Sequence, residues 1–152
     1  MGTTLKRAGM ILLVSGVVAV VANTVHPRRI PWVQSWSNHV EARAREAGVR
    51  VMPLSVALEA RARFVDARPR EEFERGRIPA ALSVPLGEWE DAFALLADLV
   101  ESNGPMVLYC GNRDCDDALL LALEIQTFGG TNLFLYSDGF EAWEEHGGPV
   151  ER

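Results

Sequence analysis

The nearly continuous apolar stretch at residues 105–110, PMVLYC, restricts the fold of this chain more than any other feature. A strand without alternating polar residues is typical of a parallel sheet that is covered on both faces. Short segments of similar character occur at residues 63–67, 81–86 and 131–136, and segments with helical spacing separate them. This alternation predicts an α/β domain with a largely parallel central sheet. Its ligand site should lie outside the carboxyl ends of the strands.

Charge divides the chain into two parts. Residues 1–50 carry seven Lys/Arg and two Asp/Glu, whereas residues 51–152 carry eight Lys/Arg and nineteen Asp/Glu. The second part is acidic, and we predict that it binds neither nucleic acid nor an anionic membrane surface. We expect the globular domain at residues 51–152. Residues 26–50, which are rich in proline at their start, are expected to form a linker with a short helix.

The N-terminal part contains eighteen uncharged residues, 8–25, between two pairs of basic residues. As a helix they would span about 27 Å, close to the thickness of the hydrocarbon core of a bilayer. We predict that residues 1–25 form a single-pass anchor in an inner or plasma membrane; a cleaved signal peptide and a soluble helix are the alternatives. Basic residues flank both sides, so only the free N-terminal amine favours an orientation, with the globular domain outside the cytoplasm.

The two cysteines, Cys110 and Cys115, flank a short polar loop where the central strand is expected to pass into a helix. N–H groups at the start of a helix are unpaired, and together with the helix dipole they favour an anion. Such surroundings lower the pKa of a cysteine thiol. We therefore predict that Cys110, at the end of the strand, is a nucleophile. The alternative is a buried cysteine without chemistry.

Three segments resemble, in order, the motifs of the rhodanese-like domain family: FVDARPREEFERGRIPAALSVPL at 64–86, VLYCGNRDCDDA at 107–118 and LFLYSDGFEAWEEHGGPV at 133–150. The resemblance covers about residues 51–150 and implies a three-layer α/β fold and sulfurtransferase activity. In this family the cysteine after the central strand carries a persulfide, and a six-residue loop surrounds the outer sulfur with N–H groups. Carried over, the resemblance makes Cys110 the catalytic residue. The substrate-binding loop then consists of Gly111, Asn112, Arg113, Asp114 and Cys115.

The sequence departs from the family pattern around this loop. The last position of the loop is Cys115, where Arg or Ser is common, so Cys115 is also a candidate resolving thiol. Asp114, Asp116 and Asp117 place negative charge near Cys110, which argues against the anion thiosulfate as the sulfur donor. Aspartate at position 116 also excludes the arginine with which cysteine-based phosphatases bind phosphate.

Asp66 and Arg68 are expected to support the site structurally. Asp66 can cap the helix that follows Pro69, and Arg68 can pair with a carboxylate. The three histidines and two cysteines show no metal-ligand spacing, so the sequence predicts neither a metal nor another cofactor. We interpret His146 as a surface residue rather than a general base.

Three functions are compatible with these features. The first is a sulfurtransferase or persulfide carrier that uses Cys110, with a small sulfur donor and a thiol or protein acceptor as partners. The second is an extracytoplasmic thiol redox protein that uses the Cys110/Cys115 pair. The third is a non-catalytic, membrane-tethered binding module. The anion-binding character of the loop favours the first function.

Overall fold

The computed structural model describes residues 2–26 and 36–152, and the chain comprises two compact units, Met1–Gln34 and Ser35–Arg152. The described part of the first unit contains the helix α1 (Gly2–Val25). Within this helix, Lys6–Val25 has a mean hydropathy of 2.2 and none of it is buried. The helix is therefore long and apolar enough to cross a membrane. Residues 27–35 of the predicted linker lie outside the described residues.

The second unit is built around a five-stranded parallel sheet with the strand order β1-β5-β4-β2-β3. Six helices and a short 3₁₀ turn before α5 connect or flank these strands. The strands are β1 (Arg50–Val51), β2 (Arg63–Asp66), β3 (Leu82–Ser83), β4 (Met106–Tyr109) and β5 (Leu133–Tyr136); the helices are α2 (Trp36–Glu46), α3 (Leu54–Ala57), α4 (Arg70–Arg75), α5 (Trp89–Glu101), α6 (Asp117–Thr127) and α7 (Gly139–Glu145). The predicted α/β class with a parallel central sheet is confirmed.

The core consists of two clusters of buried side chains, one on each face of the sheet. Successive residues of a strand point to opposite faces. In β4, Met106 and Leu108 accordingly join one cluster, and Val107 and Tyr109 join the other. Helices α2, α5 and α6 contribute to the first cluster, whereas α3 and α7 contribute to the second. The unit therefore has three layers, with helices on both faces of the sheet.

The start of the second unit differs from the boundary that the sequence suggests at residue 51. The compact unit begins at Ser35, because α2 packs against the sheet and buries Val40 and Ala44. The strand β1 is absent from the sequence prediction. It pairs with β5 through Arg50 and Phe134 and is only two residues long, too short to produce a period in the sequence.

Candidate active site at the carboxyl end of the sheet

Cys110 follows directly after β4, whose carboxyl end is aligned with those of its neighbours. Tyr109 lies beside Asp66 of β2 on one side and beside Tyr136 of β5 on the other. Cys110 is 5% exposed and packs in the core cluster that includes the buried face of α6. The loop of residues 111–116, called the cysteine loop below, leads into α6, which begins at Asp117. Cys110 therefore lies at the strand-to-helix junction that the sequence suggests.

Cys110 and Cys115 are joined by a disulfide, and their Cα atoms are 6.1 Å apart. A turn fixes Cys115, since its N–H donates to the carbonyl oxygen of Asn112 at 3.2 Å. The side-chain oxygen of Asn112 accepts a second hydrogen bond, from the N–H of Asp114 at 3.1 Å. In the oxidised form, these two N–H groups therefore donate within the loop.

The carboxyl group of Asp117 lies beside the two sulfurs. One of its carboxylate oxygens and the two Sγ atoms all lie within 4.8 Å of one another. Burial, together with the negative charge of Asp116, raises the pKa of the Asp117 carboxyl. In the sequence, Asp117 is recognisable only as one of several negative charges around the loop. Its position in the first turn of α6, two residues after Cys115, is the signal that brings it to the sulfurs.

Asp66 and Arg68 form a buried ion pair at the end of β2. The Asp66 carboxylate accepts hydrogen bonds from the backbone N–H, Nε and Nη2 of Arg68 at 3.0, 2.9 and 2.6 Å. The helix after Pro69 has no side-chain cap. The prediction that Asp66 caps this helix is therefore wrong, because its carboxylate is occupied by Arg68.

Arg68 connects three parts of the structure around the cysteine loop. Its Nη2 donates to the carbonyl oxygen of Gly76 at 2.8 Å, and its guanidinium carbon lies 4.1 Å from the centre of the Phe140 ring. A Cβ on Gly111 would lie 3.9 Å from Cδ of Arg68. The pKa of Arg68 is raised overall. Burial alone would lower this pKa, but the hydrogen bond with Asp66 and the charge of its carboxylate outweigh the effect of burial. The permanently charged side chain of Arg68 thus lies next to the loop, close to Gly111.

The start of α7 makes close contact with the cysteine loop. The N–H groups of Phe140 and Glu141 donate to the carbonyl oxygens of Cys110 and Gly111 at 2.8 and 2.9 Å. Gly139 has a φ of 78°, and a Cβ at this position would lie 2.7 Å from backbone atoms of Asn112 and Gly111. Glycine is needed for this approach because it has no side chain and adopts positive φ without strain. In the sequence, Gly139 belongs to a motif of the family, but its contact with the loop is not predicted.

The outer side of the loop borders a cavity of about 540 Å³ with an acidic wall. Arg113 is exposed and forms an ion pair with Asp138. Asn112 donates from its side-chain nitrogen to Glu141 at 3.2 Å. His146, which lines the same cavity, is exposed as the sequence predicts, and its Nδ1 lies 2.8 Å from the carbonyl oxygen of Ala142. The charge of Arg113 is thus offset by a carboxylate, and the surroundings of the loop remain acidic.

The family model of the rhodanese-like domain matches residues 54–146. The chain therefore belongs to the rhodanese-like domain family. Among solved structures, it is similar to a protein of unknown function from Rhodopseudomonas palustris CGA009, described as a possible tyrosine phosphatase. That similarity has a TM-score of 0.57 and 21% identity, and it covers 80% of this chain and 99% of the other. A rhodanese-related protein from Thermoplasma volcanium has a TM-score of 0.55 and 20% identity over 67% of this chain and 97% of its own.

Among curated proteins, the chain is similar to an HTH-type transcriptional regulator of Mycobacterium tuberculosis. The two are 32% identical over 91 residues, which cover 58% of this chain and 37% of the regulator. The similarity therefore spans little more than a third of the length of that relative. These comparisons show the family and the fold.

Proposed function

We propose that this protein is a sulfurtransferase or persulfide carrier with Cys110 as the nucleophile. The observation that carries the proposal is the position of Cys110, at the carboxyl end of β4 and directly before the loop into α6. In the first step, the Cys110 thiolate attacks the outer sulfur of a persulfide donor, and the donor leaves as a thiolate. In the second step, an acceptor thiolate attacks the sulfur now held on Cys110. Cys110 leaves as a thiolate and is ready for another cycle.

The loop residues 111–115 bind the persulfide anion through their N–H groups in this proposal. Converging N–H groups and the start of α6 stabilise negative charge on the outer sulfur. In the disulfide form, the Cys110 sulfur is bonded to Cys115 and has no thiolate with which to attack a donor. The form that accepts sulfur is therefore the reduced one, in which Cys115 is no longer bonded to Cys110. Asp66 and Arg68 hold the loop from behind as structural support.

The charge around the loop favours a neutral or cationic persulfide donor over thiosulfate. Asp114 is exposed, and Arg113 is already paired with Asp138. Asp116 is 3.7 Å from Arg43, which reduces its contribution to the local charge. An anionic donor would approach against the remaining carboxylates. The acceptor in this proposal is a small thiol or a protein thiol.

The disulfide favours a second candidate function, thiol redox chemistry by the same pair. The Cys115 thiolate would attack the inner sulfur of the Cys110 persulfide. The Cys110–Cys115 bond forms, and the outer sulfur leaves as hydrosulfide. A dithiol reductant then restores the two thiols and becomes a disulfide itself. In this function the protein releases sulfur in reduced form instead of passing it to an acceptor.

We further propose that residues 8–25 anchor the protein in an inner or plasma membrane, with the globular unit outside the cytoplasm. The support is the length and hydropathy of Lys6–Val25. An extracytoplasmic location is oxidising, and this would favour the disulfide between Cys110 and Cys115.

Intact mass spectrometry of the full chain tests these proposals. The protein is purified in detergent, reduced, and treated with a small-molecule persulfide. We expect the Cys115→Ser variant to gain about 32 Da, one sulfur atom, on Cys110. The Cys110→Ser variant should gain nothing. Wild-type protein that instead loses about 2 Da and releases hydrosulfide would favour the redox function. If reduced Cys115→Ser takes up no sulfur, the non-catalytic binding module becomes the better interpretation.

A further inference from the structure

We propose that the reduced cysteine pair and Asp117 form a binding site for a soft divalent metal ion such as Zn²⁺. The observation is the juxtaposition of three ligand atoms, the Sγ atoms of Cys110 and Cys115 and a carboxylate oxygen of Asp117, within 4.8 Å of one another. Cys110 is buried, and the other two residues are half-buried. This function goes beyond sulfur transfer and requires only that the disulfide be reduced.

The three ligands are held by separate, well-packed parts of the fold. Cys110 follows the central strand and belongs to the core cluster, against which Cys115 packs. Cys115 is held by its hydrogen bond to Asn112, and Asp117 begins α6, whose next residue, Ala118, is buried. Ligands that are positioned in advance lose little conformational entropy when a metal binds.

The distances suit a tetrahedral site once the disulfide opens. Two Zn–S bonds of about 2.3 Å at a tetrahedral angle place the sulfurs roughly 3.8 Å apart. The Cα atoms of Cys110 and Cys115 are 6.1 Å apart, so rotation of the two side chains can provide this separation without a shift of the backbone. Asp117 completes three protein ligands, and the fourth position is left for water or an exogenous thiol, as in zinc sites that are not closed.

The chemistry of the ligands selects the class of metal. Thiolates favour soft or borderline ions such as Zn²⁺ and Cd²⁺, whereas Mg²⁺ and Ca²⁺ require shells of oxygen ligands. Two thiolates and a carboxylate bring three negative charges together, close to the additional charge of Asp116. A dication relieves this repulsion. Two protons leave the thiols when the metal binds, so binding should be accompanied by proton release.

One of the three proposed ligands, Asp117, borders a surface cavity. Asp117 lines a cavity of about 420 Å³ together with Ala67 and with residues of the segments 69–71 and 85–88. The spacing of histidines and cysteines alone predicts no metal. The third ligand is instead a carboxylate in the first turn of the helix, two residues after Cys115, and it lies close to both sulfurs.

Titration of the reduced full chain with Cd²⁺ tests the site. The protein is purified in detergent and reduced with a phosphine, and the phosphine is removed before the titration. Cadmium thiolates absorb in the ultraviolet, so binding is observed directly. We expect a charge-transfer band that saturates at one Cd²⁺ per chain, release of two protons, and competition by Zn²⁺. The oxidised protein should show no band, because its sulfurs are bonded to each other.

Two aspartate variants separate coordination from general electrostatics. Asp117→Asn should weaken Cd²⁺ binding by more than about tenfold, since a ligand is lost. Asp114→Asn removes the same charge from the neighbouring loop but no ligand, and should weaken binding by less than about fivefold. Absence of the band in reduced wild-type protein would overturn the proposal, and this measurement needs no variant. Equal affinities of the two variants would also overturn it, because Asp117 would then not be a ligand.

Discussion

The buried charge of Asp66 is balanced by Arg68, whose guanidinium forms three of the hydrogen bonds to its carboxylate. Removing one partner of such a pair leaves an unpaired charge in the interior, which costs about 3–5 kcal/mol. We therefore expect Arg68→Met to lower the free energy of unfolding by about this amount. Arg70→Met is a matched control, because Arg70 pairs with Glu88 at 3.3 Å on the surface. It should cost at most about 1 kcal/mol. Urea unfolding followed by tryptophan fluorescence measures both, and equal losses would contradict the prediction.

Substitution of Gly139 tests whether its close contact with the cysteine loop positions Cys110. Gly139→Ala forces a Cβ to within 2.7 Å of the backbone of the cysteine loop, so the loop or α7 must move. A displacement of about 1 Å can slow a reaction by about a hundredfold. We expect sulfur uptake by Cys110 to slow by more than about tenfold in reduced Gly139→Ala.

Gly147→Ala provides the control for this change. Gly147 has nearly the same φ, 76°, but a Cβ there would meet nothing within 4 Å. Its alanine variant therefore carries only the backbone penalty of about 1–2 kcal/mol. Mass spectrometry during the reaction with a small persulfide gives the rates. If both variants take up sulfur at the same rate, contact between Gly139 and the loop is not what positions Cys110.

At the scale of the element, the sequence predicts those strands and helices that are marked by a pattern of apolar and polar residues within their own segment. Apolar runs are sufficient to predict β2, β4 and β5, and the polar loop after Cys110 predicts the start of α6. The two-residue strand β1 escapes prediction because it is defined by its pairing with β5. The contact of Gly139 with the loop is tertiary as well, and it does not follow from spacing along the chain. Asp117, in contrast, lies only two residues after Cys115, so its place near the sulfurs has a local signal in the sequence.

The packing of α2 leads to a prediction about this element. Val40 is 2% exposed and belongs to the larger core cluster, together with Ala44. Truncating a buried aliphatic side chain leaves a cavity, so Val40→Ala should lower the free energy of unfolding by about 2 kcal/mol. Val56→Ala removes the same atoms from a residue that is 51% exposed, and it should change stability by less than about 0.5 kcal/mol. Urea unfolding compares them. If Val40→Ala is as mild as its control, α2 is not part of the stable unit.

At the scale of the whole molecule, the two units contrast in burial and charge. Lys6–Val25 has no buried residues and a mean hydropathy of 2.2, and Val14 and Val17 are more than half exposed. The second unit has its own core and an acidic sequence. Exposing an apolar helix of this length to water is unfavourable. A bilayer would cover the helix along its full length.

We therefore expect the full chain to remain in the membrane fraction after an alkaline carbonate wash. Each arginine at the centre of a spanning helix opposes insertion by about 2.5–3.5 kcal/mol. The double variant Val14→Arg/Val17→Arg should consequently move to the soluble fraction. Arg61→Ala/Arg63→Ala, which changes two charges in the other unit, should stay in the membrane with the wild type. Release of wild-type protein by the wash would contradict the anchor. A membrane-free protein shortened at its N-terminus would instead identify residues 1–25 as a cleaved signal, since a signal peptide is removed from the mature chain.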